Sequence, residues 1–103
     1  MKPQVDSEGF LKNLDDWTPA VAEILAKAEG IELSDAHWHV VHMVRNYYDA
    51  YRISPAARII VKLMKDSDQL ADANSIYLMS LFTGRPARQA NKIAGLPKPT
   101  NCD

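Results

Sequence analysis

Cysteine is almost absent from this chain of 103 residues: the single thiol is Cys102, next to last in the sequence. A lone thiol near the end of the chain cannot close an internal disulfide and is not expected to pack in a core, so its expected use is reaction with something outside the molecule. Such a thiol suits a reducing compartment better than a secreted one. Long apolar runs are also missing. None approaches the roughly 20 residues needed to span a bilayer, and Met1-Lys-Pro-Gln-Val-Asp lacks the apolar segment of a secretory signal. The expectation is a cytoplasmic protein with no membrane partner. There is no internal repeat, and no low-complexity segment outside the tail.

Acid is absent from one stretch. Between positions 84 and 102 stand Arg85, Arg88, Lys92 and Lys98 with no Asp or Glu. The net charge of −1 hides a division of the chain, because residues 1–36 carry eight acids against three bases and residues 37–103 carry five against nine. Cations near a thiol stabilise its anion and attract acidic partners or RNA. The plainer use of the same residues is a solvated helix end that complements the macrodipole.

What is present is mostly helix. Thr18-Pro19 is a cap followed by proline at the first helical position, Val21, Ile24, Leu25 and Ala28 share a face, and Gly30 ends the segment. Trp17 is placed to fold back on Ala22 or its neighbours as a hydrophobic staple. Ser34 caps the longest helix, 34–51, where Val40, Val41, Val44, Tyr47, Tyr48 and Tyr51 make a wide stripe and predict the hub of the core. Ser54-Pro55 repeats the cap-and-proline device for a helix over 54–66. Asn74 caps a short helix carrying Tyr77, Leu78, Leu81 and Phe82. Pro86 opens and Gly95 closes the last one. Residues 3–12 alternate weakly around Asp6-Ser-Glu-Gly9 and predict a small hairpin with Gly9 at positive φ. The reading is a mainly all-α protein, an orthogonal bundle of about five helices with an N-terminal β-hairpin. Residues 1–95 form the helical domain, and residues 96–103 form a mobile C-terminal arm.

The arm has its own logic. Pro97 and Pro99 fix their own φ and push Leu96 and Lys98 toward extended backbone, giving a stiff strut after Gly95. Seven residues from Gly95 to Cys102 reach at most about 23 Å. That suffices to enter a partner's pocket.

Gly95-Leu-Pro-Lys-Pro-Thr-Asn-Cys102, preceded by Pro86-Ala-Arg-Gln-Ala and Lys92-Ile-Ala, resembles the C-terminal signature of the DsrC/TusE family of sulfur-carrier proteins. Gly9-Phe-Leu, Asp16-Trp, Gly30-Ile-Glu-Leu, His37-Trp38, Asn46-Tyr-Tyr, Pro55, Arg58, Tyr77-Leu and Leu81-Phe extend the resemblance along nearly the whole chain. It differs at one place: where DsrC proteins proper carry a second cysteine, this chain has Asn91. With one thiol neither an intramolecular disulfide nor a two-cysteine trisulfide can form, so the resemblance points to the TusE-like branch. It implies a persulfide relay on Cys102, without cofactor or metal, that serves tRNA 2-thiolation. The implied partners are a TusBCD-like persulfide donor complex and an MnmA-like tRNA 2-thiouridylase bound to its tRNA. Arg85, Arg88, Lys92 and Lys98, with Arg58, are the candidate residues for stabilising the thiolate. A DsrC-like partner in dissimilatory sulfur metabolism is the alternative within the family.

Other chemistries are weaker. His39 and His42 lie ~60° apart on a helix with His37 well away, and no nearby carboxylate or cysteine completes a metal set. Helices 34–51 and 54–66 resemble a helix-turn-helix, with Arg58, Lys62 and Lys65 on one face for a phosphate backbone. The pI of about 6.3 and the lack of an amide or carboxylate side chain to read bases between Ser54 and Lys65 weigh against sequence-specific DNA binding. A self-contained hydrolase would need its nucleophile held rigidly against a base, which the end of an arm does not provide. Tyr47, Tyr48, Tyr51, Trp17 and Trp38 are read as packing residues.

Overall fold

The computed structural model describes residues 2–68, 70 and 72–100. Cys102 and Asp103 lie outside the described residues. Five helices follow a short 3-10 turn at Leu14–Asp16: α1 Pro19–Ala28, α2 Asp35–Tyr51, α3 Ala57–Asp66, α4 Ser75–Leu81 and α5 Pro86–Ile93.

Local chemistry accounts for most boundaries. The Thr18 hydroxyl accepts the Val21 N–H and Pro19 starts α1, while Asn74 does the same for α4 through the Tyr77 N–H. At α2 the cap is reciprocal. Ser34 Oγ accepts the His37 N–H, and His37 Nδ1 accepts the Ser34 N–H at 3.1 Å. The other ring nitrogen lies 2.7 Å from the Leu81 carbonyl oxygen. A carbonyl can only accept, so Nε2 carries the proton and Nδ1 is the acceptor. One buried imidazole thus ties the start of α2 to the end of α4, with the Phe82 ring edge-on against it.

Two expectations are corrected. The N-terminal segment is not a hairpin: it holds one isolated antiparallel bridge, Val5 to Leu11, and no strand is present among the described residues. Phe10 and Leu11 are both buried, so the alternation that a strand needs is broken there. What remains is a turn with Gly9 at φ 87°, in which the Asp6 carboxylate accepts the N–H groups of Glu8 and Phe10. The Phe10 amide holds the exposed Asp6 carboxyl below its usual range. Ser54 does not cap α3 either. That helix begins at Ala57 behind Ala56, without a side-chain cap, because the Ser54 hydroxyl is used elsewhere.

The centre of the core also differs from the reading of α2 as hub. α5 is the helix on which all four others pack, and every residue from 89 to 96 on it and just after it is buried. Ala87, Ala90 and Ala94 let the surrounding helices approach, and Val40, Val41, Val44, Ile60, Met64, Leu78 and Phe82 fill the space around it. Gln89, Asn91 and Lys92 of α5 are buried, and each donates a side-chain hydrogen bond to a partner outside the helix, as burial without hydrogen bonds would be costly.

Substituting His37 by Ala removes the reciprocal cap, the bond to Leu81 and the packing on Phe82. The expected loss is about 1–3 kcal/mol, with helix content retained below the transition. Urea unfolding followed by circular dichroism measures it, and an unchanged midpoint would show that the imidazole contributes nothing to stability.

Candidate functional site: the seat of the C-terminal arm

α5 ends in a buried place, where its last carbonyl groups need partners other than water. Gly95, at φ 76°, turns the chain, so that its own N–H reaches the Lys92 carbonyl and the Leu96 N–H reaches that of Asn91. This is the Schellman closure, with the buried Leu96 as its apolar contact. The next carbonyls are met by side chains from far away in the chain. Trp17 Nε1 donates to Ile93 O at 2.9 Å, Arg45 to Ala94 O at 2.7 Å, and Ser54 Oγ to Pro97 O at 2.6 Å.

The three donors support one another. The Arg45 guanidinium sits 3.9 Å from the centroid of the Trp17 ring. Burial pushes the Arg45 pKa down while Asp49 opposes the shift. Trp17 in turn lies flush on Gly95, where a Cβ would come within 2.4 Å of its ring. Glycine is required at 95 both by backbone conformation and by space. Trp17, expected to pack back as a staple on α1, is packed against the core cluster that includes Ala22 and has this further role at the base of the arm.

Residues 96–100 then lie against the body. Leu96 and Pro99 are buried, Pro97, Lys98 and Thr100 are exposed, and a notch of about 220 Å³ opens between this segment and Tyr48, Arg52, Ile53 and Ser54. Below the segment is Asn91, wholly buried. Its amide donates to Pro55 O at 3.0 Å and Ala87 O at 2.7 Å, whereas its Oδ1 meets no partner among the described residues. Pro55 and Ser54 are neighbours, so one short connection between α2 and α3 is held by α5 and holds the arm.

The candidate cations divide into two groups. Lys98 and Arg88 both reach Glu8, at 3.0 and 3.5 Å, and Lys92 reaches Glu29 at 3.0 Å. The Arg88 and Lys92 head groups also sit over the Phe10 ring. Arg85 and Arg58 are exposed and have no ion pair among the described residues. Trp17, Arg45 and Ser54 were not legible as site residues. The one usable signal was Arg45, a cation inside the apolar stripe that joins Val41 to Tyr48. Of the histidines, His37 serves the α2 cap and His42 stacks on Trp38. Among the described residues no three His, Cys, Asp or Glu side chains are grouped to hold a metal ion.

Glu29 makes the clasp sensitive to acid. Partial burial pushes its carboxyl up, but hydrogen bonds from Lys92 and Gln89 outweigh that and hold it below its ordinary value of 4.5. A depressed folded pKa means that protonation favours the unfolded chain. The contribution is therefore complete above the unfolded value of 4.5 and is lost as pH falls through the lower, folded one. Glu29→Gln should flatten the acid limb of the stability profile and, by leaving Lys92 without its partner, cost about 1–3 kcal/mol near neutral pH. Urea midpoints measured from neutral to acid pH give both effects. Parallel profiles for the two proteins would show that Glu29 does not contribute to the acid limb.

At position 91 two substitutions separate geometry from polarity. Asn91→Asp places a carboxylate against two carbonyl oxygens in a fully buried site, and should cost at least about 3 kcal/mol. Asn91→Cys removes the orphaned oxygen and keeps a weak donor for Ala87, so its cost should stay below about 2 kcal/mol. Equal losses for the two, again from urea unfolding, would mean that the site is not the closed pocket the geometry describes.

Comparison with known proteins agrees with this architecture. The family model described as DsrC like protein matches residues 1–102. A protein of Sodalis glossinidius named sulfurtransferase TusE is 50% identical over 97 residues, covering 94% of this chain and 90% of the relative. A TusE homolog of Haemophilus influenzae is 44% identical over 99 residues, covering 96% and 91%. Among solved structures, the oxidised DsrC gamma-subunit of the dissimilatory sulfite reductase of Archaeoglobus fulgidus superposes with a TM-score of 0.87 at 39% identity, covering all of this chain and 94% of that one. The DsrC of Allochromatium vinosum gives 0.84 at 46% identity, covering 96% and 88%. Matched along nearly its whole length by sequence and by fold, the chain belongs to the DsrC-like family.

Proposed function

We propose that this protein is a sulfur carrier that accepts sulfane sulfur on Cys102 and passes it to a downstream enzyme, in the service of tRNA 2-thiouridine synthesis. The observation that carries the reading is the 50% identity, over 94% of the chain, to proteins named sulfurtransferase. The seat described above supports it, since the proline-braced segment that leads toward the lone thiol leaves the core after Leu96, with Pro97, Lys98 and Thr100 exposed. A helix-turn-helix role for α2 and α3 is the weaker reading, because the connection between them is occupied in holding α5 and the arm.

Two exchanges complete the cycle. The Cys102 thiolate attacks the outer sulfur of a donor's cysteine persulfide, a new S–S bond forms on Cys102, and the donor cysteine leaves as thiolate. The acceptor's thiolate then attacks the outer sulfur of the Cys102 persulfide, and Cys102 leaves as thiolate. No external oxidant or reductant enters. The donor would be a TusBCD-like complex and the acceptor an MnmA-like thiouridylase with its tRNA, all in the cytoplasm. No helix among the described residues is long and apolar enough to cross a membrane.

The seated arm is one state of this cycle. Delivery requires Pro97 to leave Ser54 and Lys98 to leave Glu8, which makes residues 96–103 the moving unit and 1–95 the scaffold. Lys98 is four residues from the thiol. Released from Glu8, its charge becomes available to a thiolate or persulfide on the same arm.

Cys102→Ser should abolish sulfur acceptance and leave unfolding unchanged. Intact mass after incubation with a protein persulfide donor is the readout: the natural chain gains one sulfur that a reductant removes, and the variant gains none. Sulfur still taken up by the variant would sink the carrier reading.

A further inference from the structure

α4 is covered on one side only. Ile76 is 75% exposed and Met79 55%, large apolar side chains one turn apart on the same face. Beside them runs a groove of about 480 Å³ between α4 and the starts of α3 and α5, with Leu78, Met79, Ala57 and Pro86 making it mostly apolar and Arg85 at its rim. Arg58 follows Ala57 on α3.

The charge around the groove is positive and unspent. Arg88 and Lys98 are engaged with Glu8, Lys92 with Glu29, and Arg45 with a backbone carbonyl. Arg58 and Arg85 alone of the C-terminal arginines are exposed without an ion pair, cation–π contact or carbonyl partner among the described residues. α3 and α5 both start at the groove without a side-chain cap, which adds the positive ends of their dipoles.

We propose that this groove docks an acidic amphipathic segment of a partner protein, with apolar anchors over Met79 and Ile76 and carboxylates at Arg85 and Arg58. An extended polyanion fits less well. A nucleic-acid backbone following Arg58, Lys62 and Lys65 along α3 would run into the exposed Asp66, Asp68 and Asp72, and an apolar floor gives phosphates nothing to bind. The eight residues of α5, about 12 Å at 1.5 Å each, separate this contact from the base of the arm. Docking and sulfur exchange are therefore different surfaces of one carrier; the inference rests on the carrier reading only for what the docked partner does.

The test uses the full chain and three probes: a synthetic helical peptide with Leu at i, i+3, i+4 and i+7 and Glu elsewhere, the same peptide with Lys for Glu, and polyuridylate RNA. Binding is followed by NMR shift changes at the Met79 and Ile76 methyls and by fluorescence anisotropy. The Glu peptide is expected to bind, with shifts centred on Ile76, Met79 and Arg85. Met79→Glu should weaken it about tenfold, and Arg85→Glu should shift the preference toward the Lys peptide. Equal binding of both peptides, preferred binding of RNA, shifts that map elsewhere, or a dimer abolished by Met79→Glu would each overturn the proposal. Loading of sulfur on Cys102 is measured separately in the natural chain, so that loss of the groove and loss of the carrier reading give different results.

Discussion

The structure depends on how the carbonyl groups at the end of α5 are satisfied. A helix that ends inside a protein leaves acceptors that water cannot reach, and each left unpaired would cost on the order of 1–3 kcal/mol. Here the tail of the same chain closes two of them, and the indole of Trp17 and guanidinium of Arg45 close two more. Ser54 extends the series to the first proline of the strut. The donors come from 76, 49 and 43 residues away in sequence. The base of the arm is consequently one of the most long-range features of the fold, fixed only when the 3-10 segment, α2 and the α2–α3 connection are all in place.

That range explains what could and could not be read from the sequence. Helix starts were legible at Thr18, Ser34, Asn74 and Pro86 because a cap or a proline acts on groups within three or four residues. Ser54-Pro55 offered the same local signal, and spacing alone does not reveal that the hydroxyl is committed to Pro97. α5 misled for a related reason. Gln89, Asn91 and Lys92 suggest a solvated helix, yet each is buried against a partner remote in the chain: Glu29 for two of them and Pro55 for the third. The strut and its thiol were legible as a motif; the seat beneath residues 93–97 was not, since nothing near Trp17, Arg45 or Ser54 marks them as neighbours of those residues.

The charge division of the chain acquires a physical meaning in the same way. An acidic first third and a basic remainder attract each other, and the contacts are specific: Glu8 takes Arg88 and Lys98, and Glu29 takes Lys92 beneath Phe10. The two kinds of pair differ in weight. Glu8 and Lys98 are substantially exposed, so their attraction is screened and weak. Lys92 is desolvated, and Glu29 is held by two donors, so this pair belongs to the fixed frame. Electrostatics thus grades along the C-terminal region, from a desolvated pair at Lys92 on α5 to a solvent-screened one at Lys98 after Gly95.

Asn91 shows what a single-thiol carrier does with a position that the two-thiol pattern gives to chemistry. Its amide has two donors, and two carbonyls compete for them: Ala87 one turn back on α5, and Pro55 on the α2–α3 connection. Meeting both fixes the connection against α5 at the point where Ser54 takes hold of Pro97. An Oδ1 without a partner among the described residues is the cost of that arrangement, and an apolar residue of similar size would avoid it but would take from the Pro55 carbonyl the donor it has here. A cysteine at 91 could donate to one carbonyl at most. An amide at this position thus does what a thiol could not: it straps the α2–α3 connection to α5 directly under the segment that Ser54 holds at Pro97.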